Sequence, residues 1–121
     1  MDEIFHIPQA LTYCNKIFDS WDPKITTPPG LYLAALLLPV KCSVVTLRAI
    51  NAIFGLGSFF LIRSILKRQY NPVNWQAFNI AMFPVSFFFH FLYYTDSGST
   101  FFVLLAYRLA LAKHFKASAI V

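Results

Sequence analysis

Four stretches without a charged side chain constrain this chain more than any other feature of its sequence. They cover residues 25–40, 49–62, 69–95 and 97–107. A helix needs about 20 consecutive apolar residues to cross the roughly 30 Å of hydrocarbon in a bilayer. Charged residues make up 12% of the chain and hydrophobic residues 58%, whereas soluble domains carry about 25% charged residues. The sequence therefore predicts an all-α membrane protein in contact with lipid.

The basic residues lie at the ends of these uncharged stretches. Arg63, Lys67 and Arg68 follow one stretch, and Lys113 and Lys116 follow another. Proteins that bind nucleic acid collect their basic residues into a patch or stripe, so we expect no nucleic-acid partner despite the net charge of +5. Cytoplasmic loops of membrane proteins are enriched in Lys and Arg. Both basic ends are therefore predicted to face the cytoplasm, and the acidic start of the chain the opposite side.

The chain divides near residue 30 into a segment before the membrane, 1–30, and a region of membrane helices, 31–121. In the first segment five apolar residues recur at helical spacing, which predicts a short amphipathic helix at the membrane surface. These residues are Ile4, Ile7, Leu11, Cys14 and Phe18. In the second region we predict about three to four membrane helices, over 31–40 (a short one), 42–66, 75–94 and 100–113. Pro84 is expected to kink the helix over 75–94.

Two further features of the sequence bear on the membrane region. Arg48 lies inside the predicted helix 42–66, where a charge is costly, so it must lie near the interface or find a partner. Cys14 and Cys42 show no zinc-ligand spacing and define no disulfide framework, and we expect them to be unpaired, although an oxidising compartment would permit a bond. No motif indicates a metal site or a cofactor.

Several polar residues on the acidic side are candidates for chemistry. A carboxylate at a membrane edge can be tuned to accept a proton, which makes Asp2 and Glu3 catalytic candidates, although a solvated, mobile acidic pair is the alternative. His6 follows Asp2 by one helical turn, and could also be an ordinary packing residue. Asp96 could be reactive or could cap the following helix. The aromatic run at 83–94 fits lipid contact and core packing, or a groove for an isoprenoid chain.

Three segments resemble one known family: MDEIFHIPQA (1–10), WDPKITTPPGLY (21–32) and FLYYTD (91–96). They are similar to the endoplasmic-reticulum alpha-1,2-glucosyltransferases that add the last glucose to the lipid-linked oligosaccharide. The similarity is dense over the first 32 residues and weaker over the rest. It implies part of a C-type glycosyltransferase fold, multi-pass in the endoplasmic-reticulum membrane, with the motif segment as a luminal loop.

The resemblance also implies substrates and residue roles. The donor would be dolichyl-phosphate-glucose and the acceptor the dolichyl-diphosphate-linked oligosaccharide, and transfer would invert the anomeric centre. Asp2 would be the base, with Glu3 as the alternative. Further residues would shape the sugar site: His6, Trp21, Asp22, Tyr94 and Asp96.

Members of that family have a membrane span before the Asp-Glu motif and more spans after the region that ends here. We therefore expect this chain to be partial, with Asp2 on a mobile terminus and little activity in isolation. The alternative is a non-catalytic, truncated membrane protein or a small interaction subunit.

Overall fold

The structure is a computed structural model that describes residues 3–37, 42–70 and 74–121. Within these residues all regular secondary structure is helical, in agreement with the predicted all-α class. The helices are α1 (Glu3–Cys14), α2 (Gly30–Leu37), α3 (Val44–Gln69), α4 (Asn74–Ala81), α5 (Pro84–His90), α6 (Thr95–Leu111) and α7 (Phe115–Ile120).

The longest helix is α3, which lies where the sequence predicts a crossing at 42–66. Ser43 caps its first turn by accepting a hydrogen bond from the backbone N–H of Thr46 (3.2 Å). Lys67 and Arg68 in its last turn interact favourably with the negative end of the helix dipole. Its 26 residues extend about 39 Å at 1.5 Å per residue. Within the described ranges it is the one helix long and apolar enough to cross a membrane.

The region around Pro84 differs from the single kinked helix predicted over 75–94. The structure has two helices here, because α4 ends at Ala81 and Pro84 is the first residue of α5. Proline has no N–H to donate, and its ring disfavours the helical conformation in the residue before it. Phe83 accordingly has an extended ψ of 131°. Neither of the two helices has the length of a span.

Helix α6 packs parallel to α3, since residue numbers rise together along their contacts. Near one end the rings of Phe54 and Phe101 lie 5.4 Å apart between centroids. Near the other end Arg108 Nε donates to Ser64 Oγ (2.7 Å), and Arg68 donates to the carbonyl oxygen of Leu111 (3.0 Å). The pairing places the basic ends of both helices on the same side, as the charge pattern predicts.

Helices α1 and α2 form the core together with the start of α3. Tyr32, Leu47 and Tyr93 are almost completely buried there. A disulfide joins Cys14 at the end of α1 to Cys42, two residues before α3, so the expectation of unpaired cysteines is wrong. The tertiary fold brings the Cα atoms to 6.3 Å, within the range that a disulfide requires.

The predicted amphipathic helix exists as α1, but it ends at Cys14 and does not reach Phe18. The residues that it buries in the protein are largely polar: Glu3, His6, Gln9, Ala10 and Tyr13. Ile4, on the predicted apolar stripe, is 69% exposed. The most buried face of α1 is therefore largely polar, while Ile4 is exposed and Ile7 and Cys14 pack partly against the core.

Candidate active site

Glu3 is the first described residue of α1, and its carboxylate is enclosed by two other parts of the chain. Arg48 donates to both of its oxygens, from Nε to Oε1 (2.9 Å) and from Nη2 to Oε2 (3.0 Å). The backbone N–H of Tyr93 also donates to Oε1 (2.9 Å). Glu3 is 8% exposed, whereas the Arg48 side chain is 48% exposed. The solvated, mobile interpretation of this acidic residue is therefore wrong.

The electrostatics of this site favour the ionised carboxylate. The hydrogen bonds from Arg48 hold the pKa of Glu3 below its usual value of 4.5, and the amide of Tyr93 acts in the same direction, although burial opposes both. Arg48 also finds here the partner that a charge in a helix apolar enough to cross a membrane would require. Asp2, the other predicted catalytic carboxylate, lies outside the described residues.

His6 lies one turn after Glu3 on the same buried face of α1 and is 4% exposed. Its Nδ1 is 2.5 Å from the hydroxyl of Tyr32. Its ring also meets the ring of Tyr94 edge to face, with centroids 5.4 Å apart. The structure thus brings His6 and Tyr94 together and adds Tyr32, which sequence analysis did not single out.

Trp21 and Asp22 lie in the loop between α1 and α2. The Trp21 ring contacts Tyr32, with centroids 5.8 Å apart, and its Nε1 donates to the carbonyl oxygen of Ile25 (3.2 Å). Asp22 stabilises its own turn, since its Oδ1 accepts from the backbone N–H of Lys24 (2.9 Å). Trp21 therefore joins the aromatic cluster of His6, Tyr32 and Tyr94, whereas the carboxylate of Asp22 has a local role.

Asp96 lies one residue inside α6, because the helix begins at Thr95 rather than near residue 100. Tyr94 takes the capping position, and among the described residues no side chain caps this helix, so the predicted capping role of Asp96 is wrong. The Asp96 side chain is exposed and lines a pocket of about 180 Å³ with His90 and Ser97. The positive N-terminal end of the helix dipole still stabilises the negative charge of Asp96.

Asn51 holds the segment before α6 in place and was missed by sequence analysis. It is fully buried on α3, and its Nδ2 donates to the carbonyl oxygens of Leu92 (2.5 Å) and Tyr94 (2.6 Å). A polar residue in a helix that could cross a membrane was the available signal, because such residues usually mark a specific interaction.

A mostly apolar groove of about 360 Å³ lies between α3, α4 and α5. Aromatic side chains form much of it, including Phe59, Phe78 and Phe87, and His90 is a polar residue at its wall. Its size falls in the range of small-molecule sites. In the described part of the chain no group of three or more His, Cys, Asp or Glu side chains could hold a metal ion.

Comparison with known proteins adds independent information. The model of the DIE2/ALG10 family matches residues 1–121. Three relatives carry the name Dol-P-Glc:Glc(2)Man(9)GlcNAc(2)-PP-Dol alpha-1,2-glucosyltransferase. The one from Mus musculus is 43% identical over 99% of this chain and 30% of its own length. The one from Homo sapiens is 42% identical over 98% and 30%, and the one from Drosophila melanogaster 44% over 89% and 26%.

The chain thus spans about 30% of the length of the mammalian relatives that it matches. No solved structure matches it.

Proposed function

The chain belongs to the DIE2/ALG10 family, and on this premise we propose that it carries the base-bearing segment of an inverting alpha-1,2-glucosyltransferase. The donor would be dolichyl-phosphate-glucose, and the acceptor the dolichyl-diphosphate-linked oligosaccharide, as the names of the relatives state for those proteins. The identity to these relatives over nearly the whole chain carries the proposal.

The proposed reaction needs one base. Asp2, the family's motif carboxylate by resemblance, takes the proton from the acceptor hydroxyl. That oxygen then forms a bond to the anomeric carbon of glucose from the face opposite the phosphate. The bond between that carbon and the phosphate oxygen breaks, and dolichyl phosphate leaves with the electron pair. Inversion of configuration follows from this geometry.

Residues that the structure describes would supply surfaces for a sugar and a lipid. His6 and Tyr94 are in contact on the face of α1 that Glu3 anchors, next to Trp21 and Tyr32. These side chains would border the sugar. The groove of about 360 Å³ would suit an isoprenoid chain, since its aromatic lining offers apolar surface to a lipid.

We further propose a multi-pass protein of the endoplasmic-reticulum membrane with α1 facing the lumen. The Cys14–Cys42 disulfide supports this orientation, because disulfides persist in the lumen and are rare in the cytosol. The basic ends of α3 and α6 would then face the cytoplasm, as the positive-inside rule favours. A C-type glycosyltransferase fold with three to four membrane helices in this segment is part of the same proposal.

The test uses cells that lack the final glucosyl transfer. Two proteins are expressed in them: the 121-residue chain, and a chimera in which this chain replaces the matched segment of the mouse relative. The lipid-linked oligosaccharides are then analysed for the fully glucosylated species. We expect the chimera to restore that species and Asp2→Asn in the chimera to lower transfer by about 10²-fold to 10⁴-fold, as the loss of a base does.

A chimera that is inserted and stable but transfers no glucose would contradict the proposed function and favour a non-catalytic role. Near-normal transfer by Asp2→Asn would contradict the assignment of the base.

A further inference from the structure

We propose that Glu3 is a positioning residue of the transfer reaction: clamped by Arg48 and by the backbone of Tyr93, it fixes the start of α1 and does not act as the base. This inference rests on the proposed function. It gives different roles to Asp2 and Glu3, which sequence analysis leaves as alternatives for the base.

The geometry of the Glu3 carboxylate argues against proton abstraction by it. A general base must bring an oxygen lone pair within about 2.6–3.2 Å of the proton donor. Oε1 of Glu3 already accepts from Arg48 and from the Tyr93 amide, and Oε2 accepts from Arg48. The residue is also 8% exposed. The bidentate arrangement favours the charged form and fixes its orientation, which suits an anchor and not a group that must change protonation state.

The hydrogen bonds of Glu3 with Arg48 and with the Tyr93 amide, called the clamp below, join three segments that are distant in sequence. Glu3 is separated by 45 residues from Arg48 and by 90 from Tyr93. One helical turn after Arg48, Asn51 binds the carbonyl oxygens on either side of Tyr93. Asn51 of α3 thus binds the 92–94 segment directly, whereas Arg48 binds the start of α1 and is linked to Tyr93 only through Glu3.

Asp2 directly precedes Glu3 in the sequence. His6 and Tyr94 are fixed by the same segments. Loss of the clamp would release the peptide that carries the base. A misplacement of about 1 Å can cost on the order of 10²-fold in rate, so an anchor beside a base affects turnover without touching substrate.

The experiment measures glucosyl transfer by the chimera in microsomes, with dolichyl-phosphate-glucose and lipid-linked oligosaccharide as substrates. We compare Glu3→Gln, Arg48→Gln, the double variant and Arg48→Lys. Each of the two single Gln variants should lower kcat by about tenfold to 10²-fold. The double variant should be no slower than the slower single one, because either change disables the same clamp. Arg48→Lys keeps the charge but loses the bidentate fork, and should lie between.

The matched control is Arg63→Gln, the same change on the exposed face of the same helix, which should leave kcat unchanged. Alkylation of free thiols measures how much of the Cys14–Cys42 disulfide has formed, and this reports whether α1 still docks on α3. If Glu3→Gln prevents docking, the comparison rests on Arg48→Lys and on the pH profile of that variant.

The pH profile distinguishes an anchor from a base. If Glu3 were the base, Arg48→Lys would move the acid limb of the kcat profile to higher pH, because the carboxylate loses part of its stabilisation. Glu3→Gln would then lower kcat by about 10²-fold to 10⁴-fold and abolish the acid limb. If Glu3 is an anchor, the acid limb persists in Glu3→Gln. Loss of the limb, or unchanged kcat in Glu3→Gln, would overturn the inference. Failure of the proposed function has a different signature, namely no transfer by the unsubstituted chimera, whereas full transfer by Asp2→Asn would contradict only the assignment of Asp2 as the base.

Discussion

Replacement of Asn51 by Asp tests the packing between α3 and the segment before α6. The side chain is completely buried, and its Nδ2 faces the carbonyl oxygens of Leu92 and Tyr94. Because carbonyl oxygens only accept hydrogen bonds, the group that faces them must be the amide NH₂. Asn51→Asp keeps nearly the same volume and removes both donors, so its effect reports hydrogen bonding rather than a cavity.

The expected loss follows from the contacts. Two hydrogen bonds contribute about 1 kcal/mol each, and a buried carbonyl left without its donor costs about 1–3 kcal/mol. An ionised carboxylate would be repelled by both carbonyl dipoles, so the new side chain is protonated and restores at most one bond. We therefore expect the free energy of unfolding to fall by about 2–4 kcal/mol, which is roughly 30-fold to 10³-fold in the folding equilibrium.

The assay is unfolding of the purified chain in detergent micelles by titration with a denaturing detergent, followed by far-UV circular dichroism. Asn79→Asp on α4 is the matched control, since Asn79 is exposed and such changes usually stay within about 0.5 kcal/mol. If Asn51→Asp were as stable as Asn79→Asp, the two hydrogen bonds would not stabilise the fold and the argument would fail.

Three further predictions use the same titration. Cys14→Ser or Cys42→Ser opens a link between residues 28 apart in sequence and should cost about 2–4 kcal/mol, with the double variant losing no more than either single one. Gly55→Ala places the new Cβ 2.6 Å from the imidazole of His90 and should lower the free energy of unfolding by about 1–3 kcal/mol. Gly98→Ala is its control: the nearest atom to the new Cβ lies 3.6 Å away, so the free energy of unfolding should stay unchanged or rise by up to about 1 kcal/mol. Because the pKa of Glu3 is lowered in the folded protein, its contribution to the free energy of unfolding is fully present above about pH 4.5 and is lost as pH falls through the lower folded-state pKa. Glu3→Gln should therefore remove this acid-sensitive part of the stability. An equal loss of stability in acid in both proteins would contradict the prediction.

The sequence predicts the elements that depend on local properties. Helix α3 follows from a mostly apolar segment that begins after Ser43 and ends with Lys67 and Arg68, because length, capping and end charges are all local. The break before Pro84 was only partly predicted. Proline chemistry indicates a disturbed helix, but whether the chain kinks or starts a new helix depends on packing against α3.

The polar contacts of the candidate site depend on tertiary structure instead. The sequence marks Arg48 as a charge that needs a partner, yet nothing local identifies Glu3, which lies 45 residues away. The pairing of Cys14 with Cys42 is equally invisible, because two cysteines carry no information on the distance between them. Family resemblance names His6 and Tyr94 separately as residues of the sugar site, and the contact between their rings is a feature that only the tertiary structure provides.

These contacts together assign a distinct task to the first turns of α3 and the residues just before it. Cys42, Arg48 and Asn51 bind Cys14, Glu3 and the 92–94 segment, respectively. The bonds are of different kinds, one covalent, one ionic and one between neutral groups, so no single change of redox state, pH or ionic strength releases all three. A base at Asp2 would thus be bonded to a residue that α3 already holds. The contacts that hold Glu3 at the start of α1 are all made by residues of this chain.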